Sequence, residues 1–149
     1  MSTDNSNNLE LVKQNCIFCK ISKGEIDSYK IFEDDKCLII LDINPVSKGH
    51  MLLVPKEHYM IFPLVPDEEL NHFSYIIKNH IDGLKEVLGA KDIEIIISNG
   101  PAAGQMSNHF VIQLIPKYDI ENIDIKFSSD YNEEELNNIF KNIVLNFNK

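Results

Sequence analysis

A chain of 149 residues, 44% of them hydrophobic, has the length of one domain and enough apolar side chains for a packed core. Its 14 Lys plus Arg against 23 Asp plus Glu, a formal net charge of -9, repel nucleic-acid phosphates and anionic lipid headgroups at long range, which argues against nucleic acid and membrane as partners. A small phosphate ligand held by local backbone amides is not excluded by that charge.

No apolar run approaches the roughly 20 residues of a membrane span. The N-terminus, MSTDNSNNLELVKQN, lacks a basic stretch followed by an apolar one, so a signal peptide is not expected and the cytoplasm is the expected compartment. The cysteines are Cys16, Cys19 and Cys37, and an odd count in a reducing compartment argues against a disulfide framework.

In chain order, residues 1–14 are polar and read as a flexible leader, followed by a single domain over residues 15–149. IFCKISKGEI can hold one helical turn before Gly24. YKIFED and CLIILDI read as two strands around the acidic turn DDK, and Cys37 reads as a small buried core residue. GHMLLVPKEHY supplies a third strand, stopped at Pro55. From Asp67 to Leu88 the period becomes helical, with Leu70, Phe73, Ile77, Ile81, Leu84 and Leu88 on one stripe and Gly89 as the stop. IEIIIS and HFVIQLI read as the fourth and fifth strands. Leu136, Ile139, Phe140, Ile143, Val144 and Phe147 mark a second amphipathic helix, whose start Asn132 and Glu135 can cap. Strands, helix, strands and helix in this order predict an α+β fold with a mainly antiparallel sheet.

Three places could carry chemistry. Cys16 and Cys19, at C-x-x-C spacing, can present two thiolates to one metal ion, with histidines to complete the set; a redox pair or two unligated cysteines are the alternatives. His58 and His109 lie at strand ends and suit a compact site, whereas His72 and His80 lie on the long helix and read as solvated or core-edge residues. On the fifth strand, alternation puts His109, Val111 and Gln113 on one face and Phe110, Ile112 and Leu114 on the other. The first face holds one imidazole and one amide, too little for a nucleophile and its base. Finally, SNGPAAGQ is either a glycine loop whose amides hold an anion or a plain connection, and Asp42 is either a ribose acceptor or a turn residue.

CIFCKI, LDINPVSKGHMLLVPKEHY and SNGPAAGQMSNHFVIQLIPKY, in that order, resemble the histidine triad (HIT) superfamily, and in particular its zinc-containing, Hint-like branch. The resemblance covers about residues 15–118. It implies a five-stranded antiparallel sheet with one long helix and a C-terminal helix, pairing of two subunits into a homodimer, and binding of a purine nucleoside monophosphate or related nucleotide. The family signature places three histidines on one strand face, and the middle one attacks phosphorus. Here that row is His109, Val111 and Gln113, a degenerate triad. Valine has no lone pair and no proton to move, so the nucleophile position is vacant, while Gln113 can still reach a phosphate oxygen.

The same resemblance implies structural zinc on Cys16, Cys19, His58 and His109. It places Phe18, Ile21 and Ile43 near the base and Asp42 on the ribose. Asn99, Gln105 and Ser107 would lie along the phosphate loop, with His50 and Gln113 completing the pocket. Three functions follow as expectations: a nucleotide-binding pseudoenzyme, an enzyme using another nucleophile such as His50 or water, and a zinc-stabilised dimeric interaction module.

Overall fold

The computed structural model describes residues 3–120 and 130–147. The chain forms two compact units, 1–119 and 120–149, where the sequence suggests one domain over 15–149. The first unit opens with α1 (Thr3–Asn15) and α2 (Ile17–Ser22). Strands β1 (Lys30–Glu33), β2 (Cys37–Leu41) and β3 (Met51–Pro55) follow, then the long helix α3 (Asp67–Leu88), then β4 (Asp92–Ile96) and β5 (Ile112–Lys117). The strands form one five-stranded sheet in the order β1-β2-β3-β5-β4, with every neighbouring pair antiparallel. This is the α+β fold expected.

The sheet is buried on both faces at its centre, because β2 and β3 are apolar throughout rather than alternately. Cys37 and Ile39, Met51 and Leu53, and Ile112 and Leu114 point to one face, where with Phe110 they pack on Phe73, Ile76 and Ile77 of α3. Leu38, Ile40, Leu52 and Val54 point to the other and pack with Ile21, Phe18 and Val111. Each large apolar side chain fully buried this way contributes about 1.5–3 kcal/mol relative to exposure. The closing elements differ in size: α3 has 22 residues and α2 only 6, so the second face is left partly open.

Helix α3 carries Asp67, Glu68 and Glu69 in its first turn and Lys85 in its last, matching the helix dipole. Gly89, at φ 67°, ends it as expected, its N–H donating to the Glu86 carbonyl and the Ala90 N–H to the Lys85 carbonyl. Gly49, at φ 81°, turns the chain into β3 so close to α3 that an added Cβ would lie 2.7 Å from a Leu88 methyl. Among the described residues no helix is long and apolar enough to cross a membrane.

Residues 3–15 form α1 where a flexible leader is expected. Asn15 Nδ2 donates to the Leu11 carbonyl at 3.1 Å, and α1 packs on α2. Polar composition argues against a helix standing alone, but contact with a neighbour supplies what propensity lacks. The second unit, taken by itself, contains α4 (Glu133–Phe147). Its start is the reciprocal cap the sequence predicts: Glu135 N–H donates to Asn132 Oδ1, and Asn132 N–H to Glu135 Oε2, both at 2.9 Å.

The acidic turn between β1 and β2 is clasped to α3. Asp34 Oδ1 accepts the Lys36 and Cys37 amides at 2.8 Å, and Oδ2 lies 2.6 Å from His72 Nε2. Burial alone would raise the Asp34 carboxyl, but these bonds hold it below its ordinary value. His72 is therefore a bonded residue at the core edge rather than a solvated one. Asp34→Ala is expected to lower the unfolding free energy at pH 7 by about 1–3 kcal/mol, measured by urea denaturation. Because the folded pKa is depressed, that contribution is present above the ordinary value of 3.8 and is lost as pH falls through the folded value.

Candidate metal centre and adjoining ligand cavity

Cys16, Cys19, His58 and His109 come from three separated segments, yet their ligand atoms all lie within 4.8 Å of one another. Cys16 caps α2, its Sγ accepting the Cys19 amide at 3.4 Å, so one short helix places both thiols. His58 follows the Pro55 turn after β3, and His109 precedes β5. The Phe110 amide donates to the Tyr59 carbonyl at 2.6 Å and holds those two segments side by side. His109 Nδ1 then lies 3.3 Å from Cys16 Sγ, 3.6 Å from Cys19 Sγ and 3.2 Å from His58 Nδ1; His58 Nδ1 lies 3.2 Å from Cys19 Sγ.

The remaining nitrogen of His109, Nε2, donates to the Pro55 carbonyl at 2.9 Å. That bond fixes the tautomer and leaves Nδ1 as a lone pair facing the thiols. His58 Nε2 is buried without a hydrogen-bond partner, unlike any other side-chain N or O of the described residues. Burial drives the His109 imidazole down to about 4, with the Pro55 bond opposing the shift. It also pushes the Cys19 thiol up to about 12, reinforced by Cys16. Neutral imidazoles and a thiol that ionises only beside a cation make a set that can hold a metal ion. All three cysteines are free, and Cys37 is fully buried on the α3 face of the sheet, as expected of a core residue.

On the α2 face lies a cavity of about 540 Å³, within the size range of small-ligand sites. Phe18, Ile21, Asp42 and Ile43, all expected in a pocket, line it together. Asp42 Oδ1 accepts the Asn44 amide at 2.8 Å in a turn, and the residue also lines the cavity. The Val46 amide donates to His50 Nδ1 at 3.1 Å, so Nε2 carries the proton and donates to Gln113 Oε1, also at 3.1 Å. Gln113 sits directly opposite the cavity residue Leu52 in the β3–β5 ladder, and so shares its face. Val111 precedes β5 and packs into the same apolar cluster as Phe18 and Leu52, between the metal ligands and Gln113.

The loop residues lie apart from this cavity, and Ser107 borders a second one. Asn99, Gln105 and Ser107 do not line this cavity. The Gln105 amide is spent inside its own loop: Oε1 accepts the Gly100 amide at 2.9 Å, and Nε2 donates to the Met60 and Ser107 carbonyls at 2.6 and 2.8 Å. The Ser107 hydroxyl donates to the His109 carbonyl at 3.0 Å, and Asn99 is exposed. The amides of Ala103, Gly104 and Gln105 bond carbonyls of Gly100 and Pro101. The loop is a self-satisfied turn rather than an array of amides facing an anion. Sequence reasoning also missed Ile26, Asp27, Ser28 and Tyr29 along the cavity, in a connection without motif or period. A second cavity, of about 430 Å³, is bounded by Leu11 and Val12 of α1 together with Cys16 and His58.

Residues 23–120 match the HIT domain, and the chain belongs to that family. It is 42% identical to an uncharacterised HIT-like protein of Methanocaldococcus jannaschii over 128 residues, covering 86% of this chain and 98% of that one. It is 36% identical to an adenosine 5'-monophosphoramidase of Candida albicans over 108 residues, covering 70% and 71% of the two chains. Among solved structures, a zinc-bound histidine triad family protein of Mycobacterium smegmatis superposes with a TM-score of 0.69 at 27% identity, covering 91% of this chain and 97% of that one.

In chelator-treated protein the buried His109 imidazole resists protonation. Its folded value of about 4 lies below the ordinary 6.5, so the unfolded chain binds more protons between the two. Stability is expected to fall by up to about 3 kcal/mol as pH drops across that window. Urea titrations in EDTA at pH 7, 5.5 and 4 measure it, and His109→Gln is expected to flatten the profile.

Proposed function

We propose that this chain binds a purine nucleoside monophosphate or a related nucleotide, is stabilised by one structural zinc ion, and lacks the hydrolytic chemistry named for its monophosphoramidase relative. The observation carrying this reading is Val111. It stands between His109 and Gln113 on one face and is packed on the cluster of Leu38, Ile40, Leu52 and Val54, so no imidazole occupies that position. His109 cannot substitute, because one ring nitrogen faces the thiols and the other is bonded to Pro55.

The four-residue cluster fits zinc. A tetrahedral site with Zn–S of about 2.3 Å and Zn–N of about 2.0–2.1 Å has ligand–ligand edges of about 3.3–3.8 Å. The separations of 3.2–3.6 Å between the imidazole nitrogens and thiol sulfurs agree. Bound there, the ion would cross-link α2, the segment after β3 and the approach to β5, which is stabilising rather than catalytic chemistry. The zinc-bound mycobacterial relative supports the identity of the metal.

Asp42 at the rim and Phe18, Ile21 and Ile43 around the cavity suit a ribose and a base. The alternative in which His50 attacks phosphorus loses support, since both of its nitrogens are engaged. A purely structural role for the module would leave this cavity unexplained. We also propose a homodimer paired along β4. That strand borders only β5, and Ile95 and Ile97 at this edge are 49% and 39% exposed. Free cysteines accord with a reducing compartment such as the cytoplasm.

Three measurements test the proposal. Hydrolysis of an adenosine phosphoramidate by the purified chain is expected to run at least ~10³-fold below the Candida relative, and Val111→His is expected to raise it. Comparable turnover by the unaltered chain would refute the pseudoenzyme reading. Metal analysis is expected to find one zinc per chain, and Cys19→Ser to lose it while lowering the thermal midpoint by on the order of 10 °C. Light scattering is expected to report a dimer that Ile95→Lys disrupts.

A further inference from the structure

A nucleotide offers this pocket a base, a ribose and a phosphate. A phosphate monoester carries about -1.5 to -2 charges at neutral pH, and moving it out of water requires cations or an array of donors. This chain supplies few. It contains no arginine, and its formal net charge is -9. No lysine lines the 540 Å³ cavity, whereas Asp27 and Asp42 do. Two carboxylates and the overall field both oppose a dianion.

Ser28, Tyr29 and Asn44 line the cavity with neutral donors, while those of the glycine loop and of the His109 row are mostly engaged. In the glycine loop, the Gly100 amide is held by Gln105 Oε1, and the amides of Ala103, Gly104 and Gln105 close onto carbonyls of the same turn. The Ser107 hydroxyl is donated to the His109 carbonyl. His109 offers its one N–H to Pro55, and His50 offers its own to Gln113. Since His50 presents a proton, Gln113 must answer with Oε1, which leaves its amide N–H groups as the donors of this row, beside cavity-lining Leu52. Val111 adds an apolar wall.

We infer that the pocket recognises the nucleoside and gains nothing from the phosphate: a neutral nucleoside binds at least as tightly as its 5'-monophosphate. This rests on the reading that sugar and base occupy the Asp42 cavity. Affinity then comes from the apolar lining, the Asp42 carboxylate and neutral donors such as the Gln113 amide, which a hydroxyl can match without the cost of stripping water from a dianion.

Titration calorimetry of the full, zinc-loaded chain with adenosine, AMP, guanosine and GMP at fixed ionic strength tests the inference. The expected result is a nucleoside Kd equal to or below that of the matching monophosphate. Monophosphates binding tenfold or more tightly than their nucleosides would overturn it while leaving the nucleotide-binding reading intact. Binding of none of the four up to millimolar concentration would overturn both. Val111→Lys, which puts a cation on the same face, is expected to shift the preference at least fivefold toward AMP. Gln113→Glu is expected to shift it the other way. A variant pair leaving the ratio unchanged would count against the placement of the phosphate beside these side chains, and so against the inference.

Discussion

The hydrogen bond from His109 Nε2 to the Pro55 carbonyl ties together the end of β3 and the approach to β5. It selects one tautomer of a fully buried imidazole, and that tautomer turns a lone pair toward Cys16, Cys19 and His58. Without it the ring could rotate, and the two thiols on α2 would face a proton instead of a ligand atom. The short helix α2 has only 6 residues and buries only Cys19 and Ile21, so apolar packing holds it weakly. The side-chain cluster at its N-terminal end holds it as well. What closes the second face of the sheet is thus as much polar chemistry as hydrophobic burial.

That arrangement separates stability from ligand binding along one strand face. His109 serves the cluster, Val111 serves the apolar core, and Gln113 serves the hydrogen-bond chain through His50. Each is satisfied by neighbours inside the fold. Of the three side chains in this row, Gln113 keeps its amide N–H groups for a further partner. The glycine loop follows the same pattern, since its amides and the Gln105 side chain are consumed in holding its own turn to Met60.

Features governed by local chemistry were legible before any coordinates. The stop at Gly89 requires a left-handed residue, and the Asn132–Glu135 box requires two side chains three residues apart. The alternation of residues 109–114 follows from the pleat and placed Val111 correctly, on the face away from α3. Convergence of the four cluster residues could be named only through resemblance, because nothing local to Cys16 and His109 relates them. The helix at residues 3–15 was missed because its composition is polar and its support comes from α2. The sequence left the loop amides open between an anion and a plain connection, because a glycine shows that backbone can approach something, not which partner it finds.

By itself, the sequence determined the order of the five strands, the long helix and the C-terminal helix, and the absence of an imidazole at position 111. These are properties of side-chain type and period, which travel with the chain wherever it goes. Only the tertiary structure decided which groups are already spent. The acceptor for His109 is a backbone carbonyl 54 residues away, and backbone carbonyls are the same at every position. The pairing of His50 with Gln113, the commitment of the loop amides and the acidic lining of the cavity likewise arise when distant segments meet. Hydrogen-bonding capacity is written in the residues, but its assignment to partners is settled by folding.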